Sequence, residues 1–289
     1  MKERGQKTVT KNYITTIAQS HIYKYMKMND IKTSQYSYHS FFSYMTTKLN
    51  ILVMEHNLHN DIAGLSIIDK NGHSSISFQK DHHLYRQNFT KCHELGHFLL
   101  EHKGSIFTYS DKNIPQEIEA NIFAGQILAP DIVLYGKIVK DELTFQDISK
   151  DLSISAEALQ IRLKQLLSDK SNLSQEERTM MVNDYLTRKN NDLKDCLKQL
   201  ADKIIQDYQN VKIDPLEHLE YLLELNDIVT SIQIPQLSEK SFRSNLNDNL
   251  SIGWQFGRNI DFHYVWNNQK LSDIQAKKLS KDIWFNLAY

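Results

Sequence analysis

The chain has 289 residues, 40% of them hydrophobic, and its 34 basic and 35 acidic side chains leave a formal net charge of −1. That is enough apolar material for one substantial core and a second, smaller one, while the charge balance excludes the global basic field of a nucleic-acid binder. Two cysteines, Cys92 and Cys196, are too few for a disulfide framework; polar Thr8, Thr10, Lys11 and Asn12 break any secretory leader, and no apolar run approaches the roughly 18 to 20 residues of a membrane span, so a cytoplasmic protein is expected.

Residues 1–47 are polar and aromatic, with Ile14, Ile17, Ile22, Tyr25 and Met26 loosely spaced as on one or two helices. From residue 51 the pattern changes. Ile51-Leu52-Val53-Met54, Leu65-Ser66-Ile67-Ile68 and Ile76-Ser77-Phe78 predict short strands, and Asn71-Gly72 predicts a hairpin turn because both residues tolerate positive φ. In the last strand Ile76 and Phe78 alternate with Ser75 and Ser77, so one face is expected in the core and the other in solvent. Residues 74–79 are a candidate sheet edge, to which an extended substrate would add as a further strand.

A helix is expected from Thr90 to about His102, carrying Phe89, Cys92, Leu95, Phe98 and Leu99 on a helical repeat and ending near Gly104. A second runs over 117–128, with Ile118, Ile122, Ile127 and Leu128 in helical spacing, and stops at Pro130. Residues 143–167 predict a helical hairpin, in which Ser155 caps the second helix. Ser174 and Glu177 form a capping box for the next helix, and a domain boundary is expected just before it. The division is then a helical segment over 1–47, an α+β core over 48–135, the hairpin within 136–170, and a mainly helical domain over 171–289. The last part holds Trp254, Trp266 and Trp284, expected as core, and Cys196 is expected to pack on a charged helix.

His93-Glu94-Leu95-Gly96-His97 has the H-E-x-x-H form. Residues four apart share a helix face, so the two imidazoles can converge on one zinc. Glu94 lies about 100° round the helix from His93. From there it reaches water at the metal rather than the metal itself, the placement of a general base. Gly96 is costly inside a helix unless something approaches the backbone closely.

A catalytic zinc has three protein ligands and one open position, so a third ligand is expected downstream, from Glu117 or Glu119. Two residues apart on a helix, they project about 200° from each other, and one alone can face the metal. Glu117 is the better candidate because Asn121 stacks four residues on, where its amide can hold a ligating imidazole. Manganese or iron would also suit such ligands.

The stretch His93-Glu94-Leu95-Gly96-His97-Phe98-Leu99-Leu100, followed in order by Glu117-Ile118-Glu119-Ala120-Asn121-Ile122-Phe123-Ala124 and Leu128-Ala129-Pro130, resembles the ImmA/IrrE family of metallopeptidases. The likeness covers roughly residues 48–167. It implies a zincin-like core, a small twisted sheet packed on the H-E-x-x-H helix, with one zinc per chain on His93, His97 and Glu117 and with Glu94 acting on water. It also implies a substrate: a DNA-binding transcriptional repressor of a mobile element or stress response, cleaved to release its genes.

Around the motif, His82, His83, Tyr85, Arg86, His102 and Tyr109 are candidates to hydrogen-bond a developing oxyanion, and the sequence does not choose among them. The hairpin could present Gln160, Lys164 and Gln165 to DNA as a helix-turn-helix. Charge argues against DNA as a partner, since Asp147, Asp151 and Glu157 balance Lys150, Arg162 and Lys164. Two functions follow: a narrow-specificity zinc endopeptidase acting on one intracellular protein, and a non-catalytic zinc-binding regulator that works by binding a protein or DNA. The intact base Glu94 favours the enzyme.

Overall fold

The computed structural model describes residues 2–58, 62–67, 74–102, 106–108, 115–257 and 260–288. Two helices come first, α1 (Lys2–Met28) and α2 (Tyr38–Lys48), the second capped by the Ser37 side chain, which accepts from the His39 amide. Next are β1 (Ile51–His56), β2 (Gly64–Ile67), β3 (Ser74–Gln79), α3 (Leu84–Leu99), β4 (Ile106–Thr108) and α4 (Pro115–Leu128). The strands form one sheet in the order β1-β3-β2-β4, with β1 parallel to β3 and the other pairs antiparallel. This is the small sheet of the expected α+β core.

The expected edge position of residues 74–79 does not hold. β3 lies between β1 and β2, and the edges among the described residues are β1 and β4. Nor is its serine face open to solvent throughout: Ser75 is half-buried, and Ser77 and Gln79 are buried with Ile76 and Phe78. Backbone acceptors make this possible, as Ser77 Oγ donates to the Leu65 carbonyl at 3.4 Å and Gln79 Nε2 to the Leu58 carbonyl at 2.7 Å. The Asn71-Gly72 turn, Gly104 and Tyr109 fall outside the described residues.

Helix α3 starts at His83, whose side chain accepts from the Tyr85 amide, and it ends earlier than Gly104. Glu101 takes the left-handed conformation, φ 52, its amide donating to the Phe98 carbonyl and that of His102 to the His97 carbonyl, both at 3.1 Å. This Schellman turn closes the helix and sends the chain back under its own last turn. α3 lies close against α4 because small residues meet: a Cβ on Gly96 would stand 3.3 Å from Ala120 Cα. Ala120 is thus the group whose approach Gly96 admits.

Beyond Pro130 come α5 (Asp131–Tyr135), a π-helical turn over Gly136–Lys140, α6 (Phe145–Asp151) and α7 (Ala156–Lys170). The helical stretch Pro115–Lys140 has the length and mean hydropathy, 1.4, of a membrane span, yet its apolar window is 83% buried inside the fold. A search for unbroken apolar runs passes over it because Glu117, Glu119, Asn121 and Gln126 interrupt the run. The hairpin α6–α7 is fixed to this core. Arg162, 1% exposed, pairs with Asp131 and donates to Gln126 Oε1 at 2.9 Å, while Gln19 Nε2 of α1 donates to Asp131 Oδ2 at 2.8 Å.

The chain divides into two units, residues 1–211 and 212–289. The boundary thus lies some way past the position expected near residue 170. Helices α8 (Gln175–Leu186), α9 (Asp192–Gln199) and α10 (Ala201–Asn210) follow the capping box, and their Val182, Leu193, Leu197 and Ile204 enter the same core as α1 to α7. The second unit contains α11 (Pro215–Leu225), β5 (Ile228–Thr230), α12 (Lys240–Arg243), β6 (Leu250–Gln255), β7 (Phe262–Asn267) and α13 (Asp273–Ala288). Its antiparallel sheet runs β5-β7-β6; Trp266 is buried there as expected, whereas Trp254 on β6 is 56% exposed.

Candidate metal centre

Two helices and one strand build the site. On α3, His93 and His97 are one turn apart and fully enclosed, and the close approach of α4 brings Glu117 of its first turn to them. His93 Nε2 lies 3.0 Å from Glu117 Oε2, His97 Nε2 lies 3.4 Å from Glu117 Oε1, and the two Nε2 atoms are 3.2 Å apart. One ligand atom from each of the three residues falls within 4.8 Å of the others. Such spacing fits one cation, since ligand atoms about 2.0 to 2.1 Å from a tetrahedral zinc are about 3.3 Å from each other. Burial, with His93 and His102 nearby, pushes the His97 pKa down to about 3, so its ring is neutral and has a lone pair to give.

Of the two acids left open as third ligand, Glu117 meets both imidazoles and Glu119 does not. Glu119 Oε2 instead meets His102 Nε2 at 3.1 Å. Asn121 Oδ1 lies 3.0 Å from His93 Nδ1, on the far edge of that ring from Glu117. The same relation recurs at His97, whose Nδ1 is 2.9 Å from His102 Nδ1. His102 therefore sits behind His97, away from the three ligand atoms, and drops out as an oxyanion donor. His83 serves as the cap of α3, and Arg86 is exposed.

Glu94 points to the sheet. It is 1% exposed, and its Oε2 has no hydrogen-bond partner among the described residues. Burial raises its pKa to about 7 against the opposing pull of His93 and the Ser66 hydroxyl, with Glu117 adding to the rise. Strand β2 supplies this wall, and its first residue is tight against the carboxylate: a Cβ on Gly64 would be 2.5 Å from Glu94 Oε1 and 2.3 Å from Thr90 Cγ2. Gly64 and Ser66 escaped sequence reasoning because they lie some 30 residues before the motif; a glycine opening a strand was the one signal present.

The arrangement places two neutral-capable imidazoles and a carboxylate around one point, with a second carboxylate buried beside it and held off the ligand set. This chemistry belongs to metal-assisted hydrolysis. No curated protein matches the chain. Residues 46–164 match the family model Peptidase_M78, described as the IrrE N-terminal-like domain, in agreement with the resemblance read from the two motifs. Every side chain of the centre falls inside this stretch, so the whole site lies in the part of the chain that is similar to the IrrE N-terminal-like domain.

Proposed function

We propose that this protein is a zinc-dependent endopeptidase of the cytoplasm, with one zinc per chain held by His93, His97 and Glu117, Glu94 as general base and Asn121 orienting His93. The observation that carries the reading is the buried convergence of two imidazoles and one carboxylate beside Glu94, whose Oε2 has no hydrogen-bond partner among the described residues. When bound, zinc supplies a Lewis acid that polarises a carbonyl oxygen and lets water attack near neutral pH. Glu94 takes the proton of the attacking water at Oε2 and hands it to the departing amine nitrogen. Burial raises the pKa of this carboxyl above the ordinary carboxylate range, which strengthens it as a base for the first transfer. Gly64 leaves the room in which that carboxylate stands, and Asn121 Oδ1 accepts from His93 Nδ1, which puts the ring's lone pair on Nε2 for the metal.

The substrate in this reading is a protein, specifically a DNA-binding repressor of a mobile element or stress response, and the support for it is the family resemblance. Residues 171–289 then recognise the substrate or the signal that releases cleavage. Two free cysteines suit the cytoplasm. DNA is not expected as a partner: Arg162, one of the hairpin's few cations, is buried against Asp131.

Elemental analysis tests the centre and a cell-wide survey of protein N-termini tests the activity. The purified protein is expected to hold about one zinc per chain, lost in His97→Ala. Cells producing the protein should contain a new N-terminus inside a DNA-binding protein, absent with Glu94→Gln. Zinc in the wild type without any N-terminus that depends on Glu94 would replace the peptidase by the non-catalytic regulator.

A further inference from the structure

We infer that His102 and Glu119 are positioning residues of this centre: Glu119 holds His102, and His102 holds His97 in the tautomer that ligates through Nε2. The inference rests on the metal reading proposed above. Its starting point is a chain of three side chains, one from α3, one from the turn that closes it and one from α4: His97 Nδ1 to His102 Nδ1 at 2.9 Å and His102 Nε2 to Glu119 Oε2 at 3.1 Å.

Local backbone makes the first link. The Schellman turn at the end of α3, with Glu101 at φ 52 and the His102 amide on the His97 carbonyl, folds His102 back beside the residue five positions earlier. An uninterrupted helix would carry it to another face, since five residues turn about 500°. The second link comes from α4, on which Glu119 points away from Glu117 and so can reach His102 while Glu117 faces the two imidazoles.

Proton counting then gives the chain a direction. An ionised carboxylate only accepts, so the contact with Glu119 needs the proton of a neutral His102 on Nε2. His102 Nδ1 is then bare and accepts, and the proton in its contact with His97 comes from His97 Nδ1. A neutral His97 protonated there has its lone pair on Nε2, the atom that faces His93 and Glu117. Each tautomer fixes the next. Asn121 does in one step for His93 what Glu119 and His102 do in two for His97.

Zinc affinity of the full chain, measured by competition with a chromophoric chelator, separates this role from a structural one. Glu119→Ala and His102→Ala are expected to bind zinc about 10- to 100-fold more weakly than wild type, the usual cost of losing such a partner. Glu119 is 23% exposed at its side chain, so the melting temperature of the metal-free Glu119→Ala protein should stay at the wild-type value. Glu119→Gln keeps an accepting oxygen and is expected to restore most of the affinity. Wild-type affinity in both alanine variants would overturn the positioning role, and so would a Glu119→Gln protein as weak as Glu119→Ala. A wild type that binds no zinc would overturn the metal centre itself, a result distinct from the other two.

Discussion

Replacing Glu94 by glutamine should stabilise the metal-free protein at alkaline pH even as it removes the proposed base. The carboxyl is 1% exposed, and burial, partly opposed by His93 and Ser66, raises its pKa from the ordinary 4.5 to about 7. The folded chain therefore holds this proton more tightly than the unfolded chain does. Between those two values the folded state carries the proton and the unfolded state has released it. Stability is greatest below the lower value, falls as pH rises through the window, and stays low above the upper one. A rise of two to three pKa units corresponds to about 3 kcal/mol. Glutamine has nearly the same shape and no charge at any pH, so the variant escapes that loss. Urea unfolding of both proteins in excess chelator reads the difference, the transition of the first unit being the one that matters. Near pH 8 the variant should be the more stable by about 3 kcal/mol, and by pH 5 most of the gap should have closed. An equal gap at both pH values would refute the reasoning, because a gain independent of pH comes from packing and not from a buried charge.

Gly64→Ala is expected to reduce turnover while leaving the zinc content unchanged, because its methyl group would displace Glu94 Oε1, 2.5 Å away, and not the ligands. The same overpacking against Thr90 should lower stability by about 1 to 3 kcal/mol in denaturant titration. Arg162→Ala should cost about 3 kcal/mol in the same assay, since it leaves the buried Asp131 charge with Gln19 and the more distant Lys170, 3.8 Å away, in place of its guanidinium. Adding Asp131→Asn should recover part of that loss, and a single variant as stable as wild type would remove the pair from the core's supports.

How much of the site could be read in advance depended on how local its geometry is. His93, Glu94 and His97 lie on one helical turn and a half, so their spacing already fixes which face each occupies, and Glu117 was separable from Glu119 because Asn121 stacks on the same face one turn later. The sheet was harder. β1 pairs in parallel with β3, and nothing in Ile51–His56 announces it: Leu52 and Met54 are exposed, unlike the uniformly apolar strands that parallel pairing usually shows. The inner position of β3 was hidden with it. The boundary expected near residue 170 rested on a polar stretch and a capping box, signals that mark where a helix starts but not what it packs against. Val182, Leu193, Leu197 and Ile204 join the first core through tertiary contacts that local signals do not encode.

His102 shows the same limit inside the site. Its place behind His97 depends on Glu101 accepting a positive φ, a conformation for which glycine or asparagine is the readable signal and glutamate is not. With Gly104 the nearest glycine, the helix was expected to run on, and His102 was left among six flanking candidates. A non-glycine residue in this conformation costs about 1 kcal/mol or more, and the surroundings have to sustain it. Here the sustaining contacts are the two hydrogen bonds of the turn and the seat of the His102 ring between His97 and Glu119. The strain in the backbone and the orientation of the ligand are on this view parts of one arrangement, and a glycine at position 101 should relax the first without disturbing the second.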